Sequence, residues 1–301
     1  MTAGLQEQAT LVALLRTRPN KMTSPEITAE VVAAGTSVEL WQRILPAALL
    51  PIPGEPDPVE QAAIDIAEWQ NSGLTFVTVL DPEYPARLRG VHEAPPVLFA
   101  RGELRPEDFG VSVVGSRRAS DRGLQTAAAI AQELVHLDVT VVSGLAQGID
   151  TAAHKATLAL GGRTVAVVGT GIRRHYPAAN RNLQDEIGER GLLLSQFWPD
   201  DPPQKHTFLM RNATMSGYGM ATIVVEAGET SGARAQARMA VGHGRPVILT
   251  DGVVQANQWA RDLVDRPGVH VAQGLRDVVD LVVELRSNLD DDEVLRRTLF
   301  A

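Results

Sequence analysis

Three short stretches of this chain carry residue types that can grip a phosphate. Gly115-Ser116-Arg117-Arg118-Ala119-Ser120, Ser143-Gly144-Leu145-Ala146-Gln147-Gly148-Ile149-Asp150 and Gly169-Thr170-Gly171 each follow a run of β-branched and apolar residues. A tight turn from such a strand into a helix presents backbone N–H groups and a helix N-terminus, which together suit an anion. Basic residues gather at the same places: Arg117, Arg118 and Arg122; Arg173, Arg174 and His175; Lys205, His206 and Arg211; Arg234, Arg238 and Arg245. Phe197, Trp198, Phe208 and Tyr218 lie in an irregular stretch nearby, able to stack on bases or to fill the core. For Phe208 the core is the expectation.

Signals for chemistry beyond binding are thin. His154 lies four residues after Asp150 on one helical face, a spacing commoner for packing or capping than for a general base. Glu226 ends a strand, and Ser143 or Ser231 would act as a nucleophile only beside a histidine, which spacing does not establish. His175, His206 and His243 lack metal-ligand spacing, so no metal is expected. Gly169-Thr170-Gly171-Ile172-Arg173-Arg174 has arginine where the dinucleotide fingerprint needs its third glycine, and no G-x-x-x-x-G-K-[ST] loop occurs. No cofactor and no catalytic residue are therefore expected.

The formal charge of −8 argues at first sight against a polyanion ligand. Its distribution changes that. Residues 111–250 hold fourteen Lys/Arg against eleven Asp/Glu, whereas the rest holds fourteen against twenty-five. A confined anionic-ligand groove on an acidic exterior fits this pattern, and binding there would weaken with salt. There is no cysteine, which excludes disulfides and thiolate metal sites and fits a reducing cytoplasm. No apolar run spans a bilayer and no secretory signal is evident, so a cytoplasmic protein is expected.

The elements that must position these residues follow from the patterning. Residues 1–72 read as a small helical domain. Ser24, Pro25 and Glu26 open one helix, and Thr36 with Glu39 has capping-box spacing. Asp57 and Pro58 open another after a proline-crowded connection at Pro46, Pro51, Pro53 and Pro56, and Gly73 is a plausible stop. From 73 to 286 a strand–helix rhythm sets in, with continuously apolar runs at 74–80, 111–115, 139–144, 164–168, 191–195, 222–227 and 246–250. Such runs predict parallel strands covered on both faces, hence an α/β, doubly wound, mainly parallel Rossmann-like sheet. A helix over 274–286 would end it, and 287–301 reads as an acidic C-terminal tail.

Taken together, these residues resemble the DprA/Smf family of DNA-processing proteins over about residues 75–285. Asp81-Pro82-Glu83-Tyr84-Pro85, Leu88 and Pro95-Pro96-Val97-Leu98 match its approach segment, and Gly115-Ser116-Arg117 its first turn. Residues 143–162 and 165–187 are similar to its two longest signatures, and Arg211-Asn212, Glu226-Ala227 and Ser231-Gly232 follow in order. The resemblance implies an extended Rossmann fold and homodimers that bind single-stranded DNA without sequence preference, protect incoming strands and help load a RecA-type recombinase. It also implies phosphate contacts from Arg117, Lys205 and Arg211, in a pocket lined by Gly115, Ser116, Arg118, Ser120, Ser143, Gly144, Ala146, Gly148, Asp150, His154, Gly169, Gly171, Asn212, Glu226, Ser231 and Gly232. The chain departs from the family pattern at Ala213-Thr214-Met215, at Ala233-Arg234-Ala235-Gln236-Ala237, at Gln196, and at Asp251-Gly252. The winged helix that many members carry at the C-terminus has no counterpart in these residues. Two alternatives stay open: a nucleotide-sensing module with a changed pocket, and a nucleotide phosphoribohydrolase using Glu226 and Arg238 on ribose.

Overall fold

The structure is a computed structural model that describes residues 1–44 and 57–299, with side chains up to residue 288. The prolines at 46, 51, 53 and 56 lie outside the described residues. Four helices come first: α1 (Ala3–Thr17), α2 (Ser24–Ala34), α3 (Ser37–Ile44) and α4 (Pro58–Asn71). Their caps differ in part from the expected ones. Thr23 rather than Ser24 caps α2, forming a capping box with Glu26. At α3 it is Glu7, reaching across from α1, that accepts from the Thr36 hydroxyl and the Ser37 amide. A carboxylate at a helix start complements the positive end of the helix dipole wherever it comes from in sequence, so local spacing alone misassigns it. Asp57 caps α4 as expected, accepting from Val59 and Glu60 N–H.

The remaining chain runs β1 (Thr75–Thr78), α5 (Ala86–Arg89), β2 (Val97–Gly102), β3 (Gly110–Gly115), α6 (Asp121–His136), β4 (Thr140–Ser143), α7 (Ile149–Ala159), β5 (Thr164–Val167), α8 (Arg181–Arg190) and β6 (Leu192–Ser195). It continues through α9 (Lys205–Tyr218), β7 (Ala221–Glu226), α10 (Gly232–Gly242), β8 (Val247–Thr250), α11 (Asp251–Ala256), α12 (Gln258–Val264), β9 (Val269–Ala272) and α13 (Leu275–Leu299). The last helix therefore continues past 286 through the segment read as a tail. The nine strands form one sheet in the order β1-β2-β6-β5-β4-β3-β7-β8-β9, parallel from β6 to β9 and antiparallel at β1 and β2. From β3 the chain winds outward through β4, β5 and β6, then returns to place β7 on the other flank of β3. The change of direction between β3 and β7 is the point where doubly wound sheets open a crevice beyond their carboxyl ends. Two strands, β2 and β9, go beyond the runs picked out by apolar patterning.

The first four helices do not close a core of their own. Leu11, Leu14, Ile27, Leu40 and Ile66 pack into one cluster with Phe76, Phe99, Ala166 and Leu193 of the sheet. Trp69 joins the two parts, with its ring 4.9 Å from Phe99 and 5.8 Å from Trp198, centroid to centroid. Phe197 is buried, and Trp198 packs half-buried against this cluster. Tyr218 is also buried, and its hydroxyl donates to Asp108, which Arg163 and Thr140 contact as well.

The family resemblance places His154 among the pocket residues, whereas its spacing from Asp150 suggests packing; α7 turns it inward, where it is fully buried. Its Nδ1 lies 2.7 Å from the Thr164 hydroxyl, which itself donates to Val141 C=O. That hydroxyl's one proton is taken, so Nδ1 carries the hydrogen and the buried Nε2 is left without a partner. Burial, reinforced by Arg211, depresses the imidazole from 6.5 to about 3. The unfolded chain takes up this proton below pH 6.5 and the folded chain does not until about pH 3. Stability is therefore full above pH 6.5 and falls on acidification. By linkage the loss at pH 5 is about 2 kcal/mol. Denaturant unfolding between pH 7.5 and 4.5 should show this acid slope in the wild type and a flatter one in His154→Gln; equal slopes would assign it elsewhere.

Candidate nucleic-acid interface

The carboxyl ends of β3, β4 and β7 frame a cavity of about 500 Å³ at the switch point. One wall is the first turn, with Gly115, Ser116, Arg117 and Arg118. A second wall holds Ala146 and Asp150, and Lys205, Phe208, Arg211 and Asn212 of α9 form a third. Ser231, Gly232 and Gln236 at the start of α10 close it. A smaller recess of about 110 Å³ continues past Gly144 and Gly169 to Tyr176. The structure thus gathers Gly115, Ser116, Arg117, Arg118, Gly144, Ala146, Asp150, Gly169, Lys205, Arg211, Asn212, Ser231 and Gly232 around one space. Ser120, Ser143, Gly148, His154, Gly171 and Glu226 do not line it.

Each of those six has a part in holding the fold. Ser143 is buried, and its hydroxyl donates 2.7 Å to Val113 C=O, so it is no nucleophile. Gly148 has φ +79°, and a side chain there would press within 2.2 Å of Ser116 C=O, so it lets the second turn lie on the first. Gly171 fits against the 198–201 loop in the same way. Glu226 accepts from Ser120 N–H and its hydroxyl, placing a carboxylate at the start of α6. It faces a separate cavity of about 460 Å³ along with Ser120 and Arg122. Arg238 is exposed on α10 and lines neither space, so the pair needed by a phosphoribohydrolase is not assembled.

The second turn does not offer its amides to a ligand. Gly144 and Ala146 N–H both donate to Asp150 Oδ2, at 3.1 and 3.2 Å. Burial raises this carboxyl above the usual range, against the pull of Arg211 and the two amides. Arg211 is only 5% exposed. Its Nη1 donates to Gly144 C=O at 2.5 Å and Val167 C=O at 2.7 Å, and its Nε to Asn212 Oδ1. Burial lowers it to about 10, still protonated at neutral pH. Expected as a phosphate contact, Arg211 is chiefly a tie between the ends of β4 and β5 and α9. A side chain at Gly144 would fall 2.1 Å from that guanidinium, which explains the glycine.

The exposed cations at the cavity are Arg117, Arg118 and Lys205, and none has a carboxylate within ion-pair distance among the described residues. Several of the other basic residues are otherwise engaged. Arg173 pairs with Asp200 and Glu68, His175 with Asp185, and Arg245 donates to Arg87 C=O. Phe208, expected in the core, is instead half-buried at the cavity. Arg117 sits over its ring at 5.6 Å, and Tyr176 stands beside it at 5.4 Å. Gly169 leaves room for this ring, since a side chain there would meet it at 2.6 Å. The Lys205–Phe208 spacing on a helix was the signal available for this face. One departure from the family pattern is internally matched, because Thr214 donates its hydroxyl to Gln196.

A family model described as DNA recombination-mediator protein A matches residues 75–282. The DNA processing protein DprA of Streptococcus pneumoniae is 42% identical over 178 residues, covering 59% of this chain and 63% of that protein. A putative DprA of Mycobacterium tuberculosis is 35% identical over 239 residues, 74% of this chain and 61% of the relative. The chain thus spans less than two thirds of the length of these relatives. Among solved structures, DprA from Streptococcus pneumoniae superposes with a TM-score of 0.68 at 30% identity, over 93% of this chain and 98% of that one. DprA from Helicobacter pylori, whose structure describes a single-stranded DNA binding mode, superposes with a TM-score of 0.63 at 22% identity, over 70% of this chain and 96% of that one. With the match running through all three glycine turns and every wall of the cavity, the chain belongs to the DNA recombination-mediator protein A family, the DprA/Smf group.

Proposed function

We propose that the protein binds single-stranded DNA without sequence preference. The observation that carries this reading is the set of exposed cations Arg117, Arg118 and Lys205 around the half-buried Phe208 ring. Cations that track a backbone beside an aromatic face that stacks on any base are what strand binding without sequence readout requires. The family, and the binding described for the Helicobacter pylori relative, support the same reading. Because Arg117 covers the Phe208 ring, the two form one platform, with the charge for a phosphate and the ring for its base.

In this reading the protein protects incoming strands as a homodimer, and helps load a RecA-type recombinase in transformation and recombination. A nucleotide-sensing module remains the competing class, and it would bind mononucleotides with no gain from strand length. No described helix is long and apolar enough to cross a membrane.

Arg117→Ala should weaken oligo-dT binding and lower the slope of log affinity against log salt by about 0.7, the loss of one single-strand phosphate contact. Phe208→Ala should cost about 1–3 kcal/mol of affinity with the salt slope unchanged, since stacking releases no counterion. Titrations at several salt concentrations separate the two effects, and unchanged affinity in both variants would remove this cavity as the binding site. Recombinase filaments should nucleate faster on a protein-coated strand when the wild-type chain is present, and Arg117→Ala should lose that gain.

A further inference from the structure

At the amino end of the sheet, away from the cavity, a second set of reactive side chains meets. His92 and Glu93 on the loop after α5, and His243 at the C-cap of α10, each bring one ligand atom to within 4.8 Å of the others. Among the described residues no other three His, Asp or Glu side chains converge so closely. The Glu93 carboxylate meets His243 Nε2, and His92 Nε2 lies 3.2 Å from it. On the other side of the His243 ring, Nδ1 lies 2.8 Å from the Ser216 hydroxyl. Glu93 and His243 are 150 residues apart, so no local spacing announces the group.

The loop is held in place by the fold itself. Val91 and Ala94, flanking the pair, are both buried. Gly217 makes room for Val91, since a side chain there would come within 2.8 Å of it. On the far side the buried Tyr84 hydroxyl donates to Pro95 C=O. Both α9 and α10 end here, and the negative pole of a helix favours a cation. An imidazole–carboxylate pair alone would account for His243 and Glu93, but it leaves His92 as an exposed neighbour of little worth. Nor do Ser216, His243 and Glu93 make a nucleophile relay, because Ser216 is buried within α9.

We propose that His92, Glu93 and His243 form a site for a divalent transition-metal ion of the zinc type, which pins the loop after α5 to the ends of α9 and α10. Two imidazoles and one carboxylate are a zinc-type donor set with a fourth place for water, whereas calcium and magnesium prefer oxygen ligands. Tetrahedral coordination at about 2.1 Å sets ligand atoms about 3.4 Å apart, close to the His92–Glu93 spacing already present. The His92 side chain is 71% exposed and has room to turn and close the set. Ser216 then accepts from His243 Nδ1–H, fixing the tautomer that offers Nε2 to the ion. Ser216 lies along α9 from Lys205, and His243 along α10 from Gly232, by about 16 Å each. The metal is thus a clamp remote from the cavity, and the inference stands independently of strand binding.

Thermal melting of the untagged, chelator-stripped chain with added zinc tests this. Zinc at a hundredfold excess over its dissociation constant should raise the melting temperature by about 5 °C. His92→Ala removes an exposed ligand, so without metal it should melt within about 1 °C of the wild type. With zinc it should show no rise. Ser216→Ala keeps all three ligands and should weaken zinc binding about tenfold. Cobalt(II) in place of zinc should give the visible absorption of a tetrahedral ion in the wild type and not in His92→Ala. Glu93→Gln, which keeps the side-chain shape, supplies the same comparison should His92→Ala melt low without metal. A wild type that responds to neither ion would overturn the inference, as would equal responses in the wild type and the ligand variants.

Discussion

A buried arginine holds the site together. Arg211 brings a positive charge into an interior that disfavours it, and the surroundings offset this with two main-chain carbonyls, a neighbouring amide oxygen and the nearby charge of Asp150. Val167 ends β5 and Gly144 directly follows β4, so one side chain on α9 fixes the spacing of two strand ends. Breaking such a set is costly because each partner is left buried and unpaired. Other features follow from it. Gly144 has no side chain because the guanidinium lies against it, and α9 is held where Phe208 and Lys205 reach the cavity rim.

The cavity differs from a nest of backbone amides. The first and second turns already donate to the chain, through Ser116 N–H to Glu226 C=O and Gly144 and Ala146 N–H to Asp150. What faces outward is a few long cationic side chains and one ring on a rigid frame. Attraction of this kind is long-ranged and tolerant of position, and salt weakens it. It suits a ligand with a repeating charge.

Much of this was legible in the chain. The strand–helix alternation, the glycine turns at strand ends and the local surplus of basic residues all appear in the sequence. What stayed hidden depends on partners far away in sequence. A glycine required by a guanidinium 67 residues away looks the same as one required by a phosphate. Glu226 at the start of α6 and Glu7 at α3 act across 106 and 29 residues, beyond any local capping pattern. Phe208 faces the cavity only because of how α9 is rotated, and Arg211 fixes that. Strands β2 and β9 lie near or at the ends of the sheet and their apolar runs are short: Arg101 and Gly102 end the first, next to the edge, and His270 interrupts the second, which is an edge.

The carboxylate of Glu226 behaves as a resident anion. It holds the α6 N-terminus, a natural phosphate seat, and lines the second cavity next to the cationic one. It therefore works as a fence along the carboxyl edge of the sheet. A polyanion drawn to Arg117 meets repulsion if it spreads toward β8 and β9, so the favourable contour is short and runs toward β5. On the strand-binding reading proposed above, this geometry would limit how many nucleotides one chain holds, and coverage of a longer strand would then depend on how many copies line up along it.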